Sequence, residues 1–175
     1  PVMFYISKMD EENADFYKTL EQLKENFGRG IVAFQLPIYE DGNFVGYVDT
    51  MKKKAYKFDD DKLVETEVPS DLNDKMNELE EQLKEAIAET SEELMEKFFS
   101  GEEFSKKDLR KGMEAGMADN SIVPVLCGAA VESVGVEPLM NAINEYMPAP
   151  NHKTEIEATK PESDEVIKLK VSSEE

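Results

Sequence analysis

The chain reads as an α/β protein: a partial parallel sheet interrupted by an inserted α+β subdomain. Three observations predict this. An apolar run, Val2-Met3-Phe4-Tyr5-Ile6, leads into the polar stretch Ser7-Lys8-Met9-Asp10 and then a helical pattern, the signature of strand, loop, helix. A second run, Ile122 to Cys127, repeats the sequence of strand, small-residue loop (Gly128-Ala129-Ala130) and helix. Between them lie short alternating runs with turn signals, followed by long helical stripes, a pattern foreign to a simple parallel sheet.

Taken in order, the first helix is expected over about 11–26, with Phe16, Leu20, Leu23 and Phe27 spaced four, three and four apart as one buried stripe. Gly28 and Gly30 stop it, and Ile31 to Pro37 is an apolar run suited to a core strand. Glu40-Asp41-Gly42-Asn43 is a strong turn signal. Phe44–Asp49, Ala55–Phe58 and Leu63–Val68 then read as short antiparallel strands. Asp59-Asp60-Asp61 lacks the following glycine and distal glutamate of a calcium loop and reads as a hydrated turn.

Pro69-Ser70 opens the longest helix, with Ser70 as N-cap and Leu72, Met76, Leu79, Leu83 and Ile87 as its stripe. Leu94 and Phe98 continue the stripe, and Thr90-Ser91 marks a break into a second helix. A third helix follows over about 106–118 from Ser105; Gly112 and Gly116 allow close packing, but more simply make it weak. The last helix, about 136–147, is expected to bury Leu139, Met140, Ile143 and Met147 before Pro148-Ala149-Pro150 stops it. Residues 151–165 read as polar linker, and Val166 to Val171 as a strand with nothing after it to pair with.

Composition narrows the function. Lys plus Arg number 20 against 39 Asp plus Glu, a formal charge of −19, which argues against direct nucleic-acid binding through phosphate contacts. That balance fits a solvated surface or attraction to a basic partner. One cysteine excludes an internal disulfide and suits a reducing cytoplasm; Cys127 reads as a small apolar core residue. No run approaches a membrane span, and no signal peptide is recognisable. The chain opens on Pro1 at a strand edge and closes on an unpartnered strand, so it is expected to be an excised fragment.

The chemistry centres on the two loops. Loops at the carboxyl ends of strands are where open α/β sheets bind ligands. Asp10 can accept two hydrogen bonds from a guanine edge, N1–H and the exocyclic amine, and the Lys8 stem can lie flat on the ring. Charge-assisted bonds of this kind are worth roughly 1.5–3 kcal/mol each, and adenine offers no matching donor pair. Taken alone, the tetrapeptide is more simply a polar loop. The second loop changes this, because its small residues let backbone amides approach a ligand: those of Ala129 and Ala130 are expected to meet the guanine O6.

With these motifs in place, the chain resembles bacterial elongation factor G and its near paralogues among translational GTPases. The family has Asn-Lys-Met-Asp and Gly-Ser-Ala where this chain has Ser7-Lys8-Met9-Asp10 and Gly128-Ala129-Ala130. Glu12 to Tyr17, Gln35-Leu36-Pro37-Ile38, Phe44 to Asp49, Met51 to Ala55, Glu93 to Phe98 and the stretch from Gly135-Val136 to Tyr146-Met147-Pro148 are also similar, so the resemblance covers about residues 1–150. It implies a partial P-loop-GTPase-type sheet with GTPase-domain portions at 1–27 and 121–150, an insert at 28–120, and at 151–175 a linker and the first strand of a following β-barrel domain. It implies a guanine-nucleotide site of Ser7, Lys8, Asp10, Ala129 and Ala130, binding GTP or GDP, in a cytoplasmic parent that drives ribosomal translocation. A ribosomal-protection or release-type paralogue is the alternative.

The phosphate-holding G-x-x-x-x-G-K-[ST] loop and the family's Asp-Thr-Pro-Gly-His segment do not occur in the sequence. Hence no catalytic residue and no Mg²⁺ ligand is expected here, and the piece alone is expected to be inactive. The single histidine, His152, lies in the polar stretch after Pro150 and is not the family's catalytic histidine. Ser7 departs from the usual asparagine, offering a shorter side chain with one donor. Asp71, Asp74, Glu78, Glu80, Glu81, Glu85, Glu89, Glu92, Glu93 and Glu96, against only Lys75, Lys84 and Lys97, first suggest a solvated helix face. The resemblance adds a sharper reading, in which this face contacts the basic C-terminal domain of the ribosomal stalk protein.

Overall fold

The computed structural model describes residues 1–59, 62–131, 133–147, 155–161, 163 and 165–171. A three-stranded parallel sheet, ordered β1-β7-β2, is built from β1 (Phe4–Ile6), β2 (Ile31–Ala33) and β7 (Val123–Cys127). Its register sets Ile6 beside Cys127 and Ile31 beside Val123. A second, antiparallel sheet runs β3 (Gln35–Glu40), β4 (Asn43–Asp49), β5 (Lys54–Asp59) and β6 (Lys62–Thr66) in sequence order. Among the described residues, five α-helices accompany them: α1 (Phe16–Phe27), α2 (Asn73–Ala88), α3 (Glu92–Ser100), α4 (Lys106–Asp119) and α5 (Val136–Tyr146). The fold is thus mixed α/β, a partial parallel sheet carrying an α+β insert.

The run Ile31 to Pro37 does not stay in one sheet. Phe34 donates its N–H to Val125 O (2.9 Å), the last bond of the parallel sheet, while its own carbonyl accepts from Thr50 N (3.0 Å) in the insert. A single residue serves both neighbours, so the strand turns there and β3 begins the antiparallel sheet. The antiparallel sheet therefore starts after β2, within the segment 28–120 that the resemblance gives to the insert. Gln35 fastens the junction, its side-chain Oε1 accepting from Cys127 N at 3.1 Å.

Strand alternation divides the core between two faces. Ile31 and Ala33 join Met9, Phe16, Leu20, Leu36, Val48 and Leu79 on one side; Val32 and Phe34 join Ile87, Leu94, Met117 and Ile122 on the other. Both clusters mix insert residues with parallel-sheet residues, so the two units share their cores.

The helices correct several expectations. α1 starts at Phe16, because Asp15 accepts from Lys18 N (2.9 Å) and caps it. Phe27 falls off its buried stripe, 64% exposed, with its ring 5.1 Å from that of Phe4. Ser70 makes no side-chain cap; Ser70–Leu72 forms a 3-10 turn running into α2. The break is real, with Ser91 accepting from Leu94 N at the head of α3 (3.3 Å). In α4, Ser105 and Asp108 form a reciprocal capping box.

Gly112 and Gly116 are close-packing residues and not simple weak points. A Cβ on Gly112 would stand 2.6 Å from Ile87 Cγ2, and one on Gly116 would stand 2.6 Å from Ile122 Cδ1. α5 also differs, burying Pro138 and Ala142 while Met140 and Ile143 face outward, 59% and 42% exposed. Its apolar stripe is wider than the surface this chain offers it.

Beyond α5, the polar stretch contains a strand. β8 (Glu155–Thr159) pairs antiparallel with β9 (Val166–Lys170), Ile156 opposite Leu169. The last strand is therefore paired within the chain, and 151–165 is not wholly linker; β8 alternates Glu with Ile and Ala, a period-2 pattern too short to stand out. Asp60-Asp61, Pro148-Ala149-Pro150 and His152 lie outside the described residues. Among the described residues, no helix is long and apolar enough to cross a membrane.

Candidate functional site

Parallel pairing of β1 with β7 places the two loops side by side at the carboxyl ends of adjacent strands. Backbone bonds then stitch them together: Gly128 N donates to Ile6 O (3.0 Å) and Met9 N donates to Gly128 O (3.1 Å). Met9 is 2% exposed and anchors the first loop in the core. Its neighbours Ser7, Lys8 and Asp10 are left exposed on the outer rim.

Lys8 holds a left-handed backbone, φ 63°, a conformation that costs a non-glycine residue roughly 1–3 kcal/mol and concentrates at ligand sites. It turns the chain so that buried Met9 lies between two outward side chains. The Lys8 ammonium stands 3.9 Å from the Glu11 carboxylate, both exposed, a contact of little energetic weight. Among the described residues, no donor bonds the Asp10 carboxylate, whose acceptors face solvent.

The second loop is more constrained than its small residues suggest. Ala129 is buried and its N–H already donates to Val134 O (2.8 Å), while its carbonyl accepts from Val134 N (3.0 Å). It is not a free donor for a base. Ala130, exposed, donates its N–H to Ser7 Oγ at 3.4 Å, a long bond that ties the loops and leaves this amide at the rim. Gly128 serves packing: a Cβ there would collide with the Tyr5 hydroxyl.

Tyr5, unremarked in the sequence, is a structural member of the site. Its hydroxyl donates to Val134 O (3.2 Å), and burial pushes its pKa up to about 12, keeping it a neutral donor. A bulky aromatic one residue before a strand end, with a glycine just past the end of the neighbouring strand, is the signal that could have found it. Cys127, fully buried with its thiol pushed up by burial, packs in the core behind the loops.

On the insert, part of the acidic face is consumed internally. Glu80 pairs with Lys53 (2.8 Å) and Lys84 (3.0 Å), and Glu93 with Lys111 (3.2 Å). Among the described residues, Glu85, Glu89, Glu92 and Glu96 have no ion pair. Phe99, on α3 beside them, is 79% exposed.

Comparison with known proteins agrees with this geometry. Residues 1–149 match the Elongation factor Tu GTP binding domain. A crystal structure of a protein from Thermus thermophilus superposes with a TM-score of 0.81 at 32% identity, covering 88% of this chain and 23% of that one. The chain thus spans less than a quarter of the length of the protein it matches. The paired strand-end loops and the extent of the match support one conclusion: this chain belongs to the family of the elongation factor Tu GTP-binding domain, a translational GTPase-type domain whose members bind guanine nucleotide.

Proposed function

We propose that the chain is the guanine-recognition half of an elongation-factor-G-type GTPase that promotes GTP-dependent movement on the ribosome. One observation carries the reading: adjacent, mutually bonded strand-end loops with the unpaired Asp10 carboxylate and the Ala130 amide on a common rim. Asp10 accepts from guanine N1–H and the exocyclic amine, the Lys8 stem lies on the ring, and the Ala130 amide meets O6 after releasing its long bond to Ser7. Ala129, its amide committed, shapes the loop. These residues fit a guanine base. Phosphate and Mg²⁺ binding would fall to a G-x-x-x-x-G-K-[ST] segment, which the 175 residues do not contain.

In the full-length protein, Asp10→Asn should exchange guanine for xanthine preference, measured by competitive binding of GDP and XDP. Unchanged guanine preference would sink the assignment. Ribosome-stimulated GTP turnover with tRNA movement would establish the translocase; stimulation without movement would point to the ribosomal-protection or release-type alternative.

The exposed Phe99 beside unpaired acids favours a second reading, that the insert docks a basic partner, the stalk protein's C-terminal domain, in the cytoplasm. Titration at rising salt tests it: attraction between exposed charges weakens once the Debye length falls to about 8 Å, so salt-independent binding would count against an electrostatic contact.

A further inference from the structure

Apart from the strand-end loops, the chain encloses a second polar site, in a cavity of about 220 Å³ between the insert sheet and α5. Two aromatic pairs border it: Tyr47 and Tyr56, ring centroids 5.4 Å apart, and Phe34 and Tyr146, also 5.4 Å apart and edge-on. At one end stand Asp49 and Glu145 with Lys52 between them, 3.8 and 3.0 Å from their respective carboxylates. Two carboxylates against one ammonium leave the lining a net charge of −1.

The lining is also under-bonded. Gln35 and Tyr47 are each 4% exposed. The Gln35 Oε1 is used by Cys127 N, but among the described residues neither the Gln35 Nε2 nor the Tyr47 hydroxyl has a partner. Both residues line the cavity. Asp49 Oδ1 accepts from Lys52 N (2.8 Å), the Met51 backbone also bonds the carboxylate, and the Lys52 ammonium lies 3.8 Å from Oδ2. Burial raises the Asp49 pKa, so a cation beside it would relieve an unfavourable charge.

We infer that this cavity binds a compact organic ammonium ion, seated against the Tyr47 and Tyr56 rings with its charge toward Asp49 Oδ2. Aromatic walls distinguish it from an inorganic cation site, which needs a shell of oxygen ligands. Ring faces attract a desolvated ammonium, and a carboxylate at the end of the cage sets its orientation. The volume admits an ion of choline size with a water, a water taking about 30 Å³. Nothing in this depends on the guanine reading.

The chain has six tyrosines and no tryptophan, and three of the six border the cavity, so tyrosine fluorescence reports occupancy directly. At constant ionic strength, choline should change this emission saturably, with parallel uptake in equilibrium dialysis, and its neutral carbon isostere should bind at least about fivefold more weakly. Asp49→Asn keeps the acceptor for Lys52 N and should weaken choline by a similar factor; Tyr56→Leu, which removes a wall and not the charge, should do likewise if the first variant fails to fold. Equal binding of the isostere, or no saturable uptake, would overturn the proposal and leave a water-filled cavity.

Discussion

Asp10 and Ser7 divide the work of the first loop between recognition and tethering. In the proposed guanine site, Asp10 would supply the charge that selects the base, and its loss would remove two bonds of roughly 1.5–3 kcal/mol each. GDP affinity of the full-length Asp10→Asn variant should therefore fall at least about tenfold, by fluorescent-nucleotide displacement. Because the Ala130 amide must leave Ser7 Oγ, 3.4 Å away, to meet O6, Ser7→Ala should tighten GDP modestly, and Ser7→Asn, whose amide adds donors within reach of the base, should tighten it further. Gly112 belongs to the same scale. Gly112→Ala places a methyl 2.6 Å from Ile87 Cγ2, and overpacking of this kind costs typically about 1–3 kcal/mol. Urea unfolding should show the loss despite alanine's better helix propensity.

Among the elements, α4 depends most visibly on one local device. Ser105 accepts from Asp108 N, and Asp108 in return bonds the Ser105 hydroxyl and backbone and the Lys97 ammonium. The Ser105 hydroxyl, then Lys97, holds the Asp108 carboxyl down at about 2, from an ordinary value of 3.8. A depressed carboxylate stabilises the fold above its unfolded pKa and loses that contribution as pH falls through the folded one. The capping contribution should therefore be complete above pH about 4 and disappear between about 4 and 2. Ser105→Ala should cost about 1 kcal/mol at neutral pH and flatten that acid dependence, checked by denaturation across the window.

For the molecule as a whole, the shared core matters more than the division into sheet and insert. An insert with its own helices and strands is expected to hold its own order while the guanine half-site, with no phosphate loop beside it, loosens. The packing opposes this, because β7 is fully buried and β2 lines both core clusters. Hydrogen exchange should find Val125 and Leu126 protected to the same degree as Leu83 and Ile87, with the exposed rim residues Ser7, Lys8 and Asp10 faster than either. A wide gap in favour of residues 83–87 would restore the picture of an independent insert. The same 175 residues, lacking a phosphate loop, should show no GTP turnover above buffer in a phosphate-release assay.

The strand–loop–helix units, the helical stripes, the break at Ser91 and the pair of loops are all legible before folding, because each is written in local periodicity and cap chemistry. Asp10 is legible as the exposed acid of a strand-end loop for the same reason: its position follows from the apolar run before it. Which amides remain available is a different matter, settled by long-range packing. Ala130 is held by Ser7, 123 positions away, a bond that no local pattern encodes, while Ala129 is spent on Val134 across a short turn. The split of one apolar run at Phe34, the glycines of α4 and the tyrosine-lined cavity share that origin. Each arises where distant segments compete for the same hydrogen bond or the same space, and that competition exists only once the chain has folded.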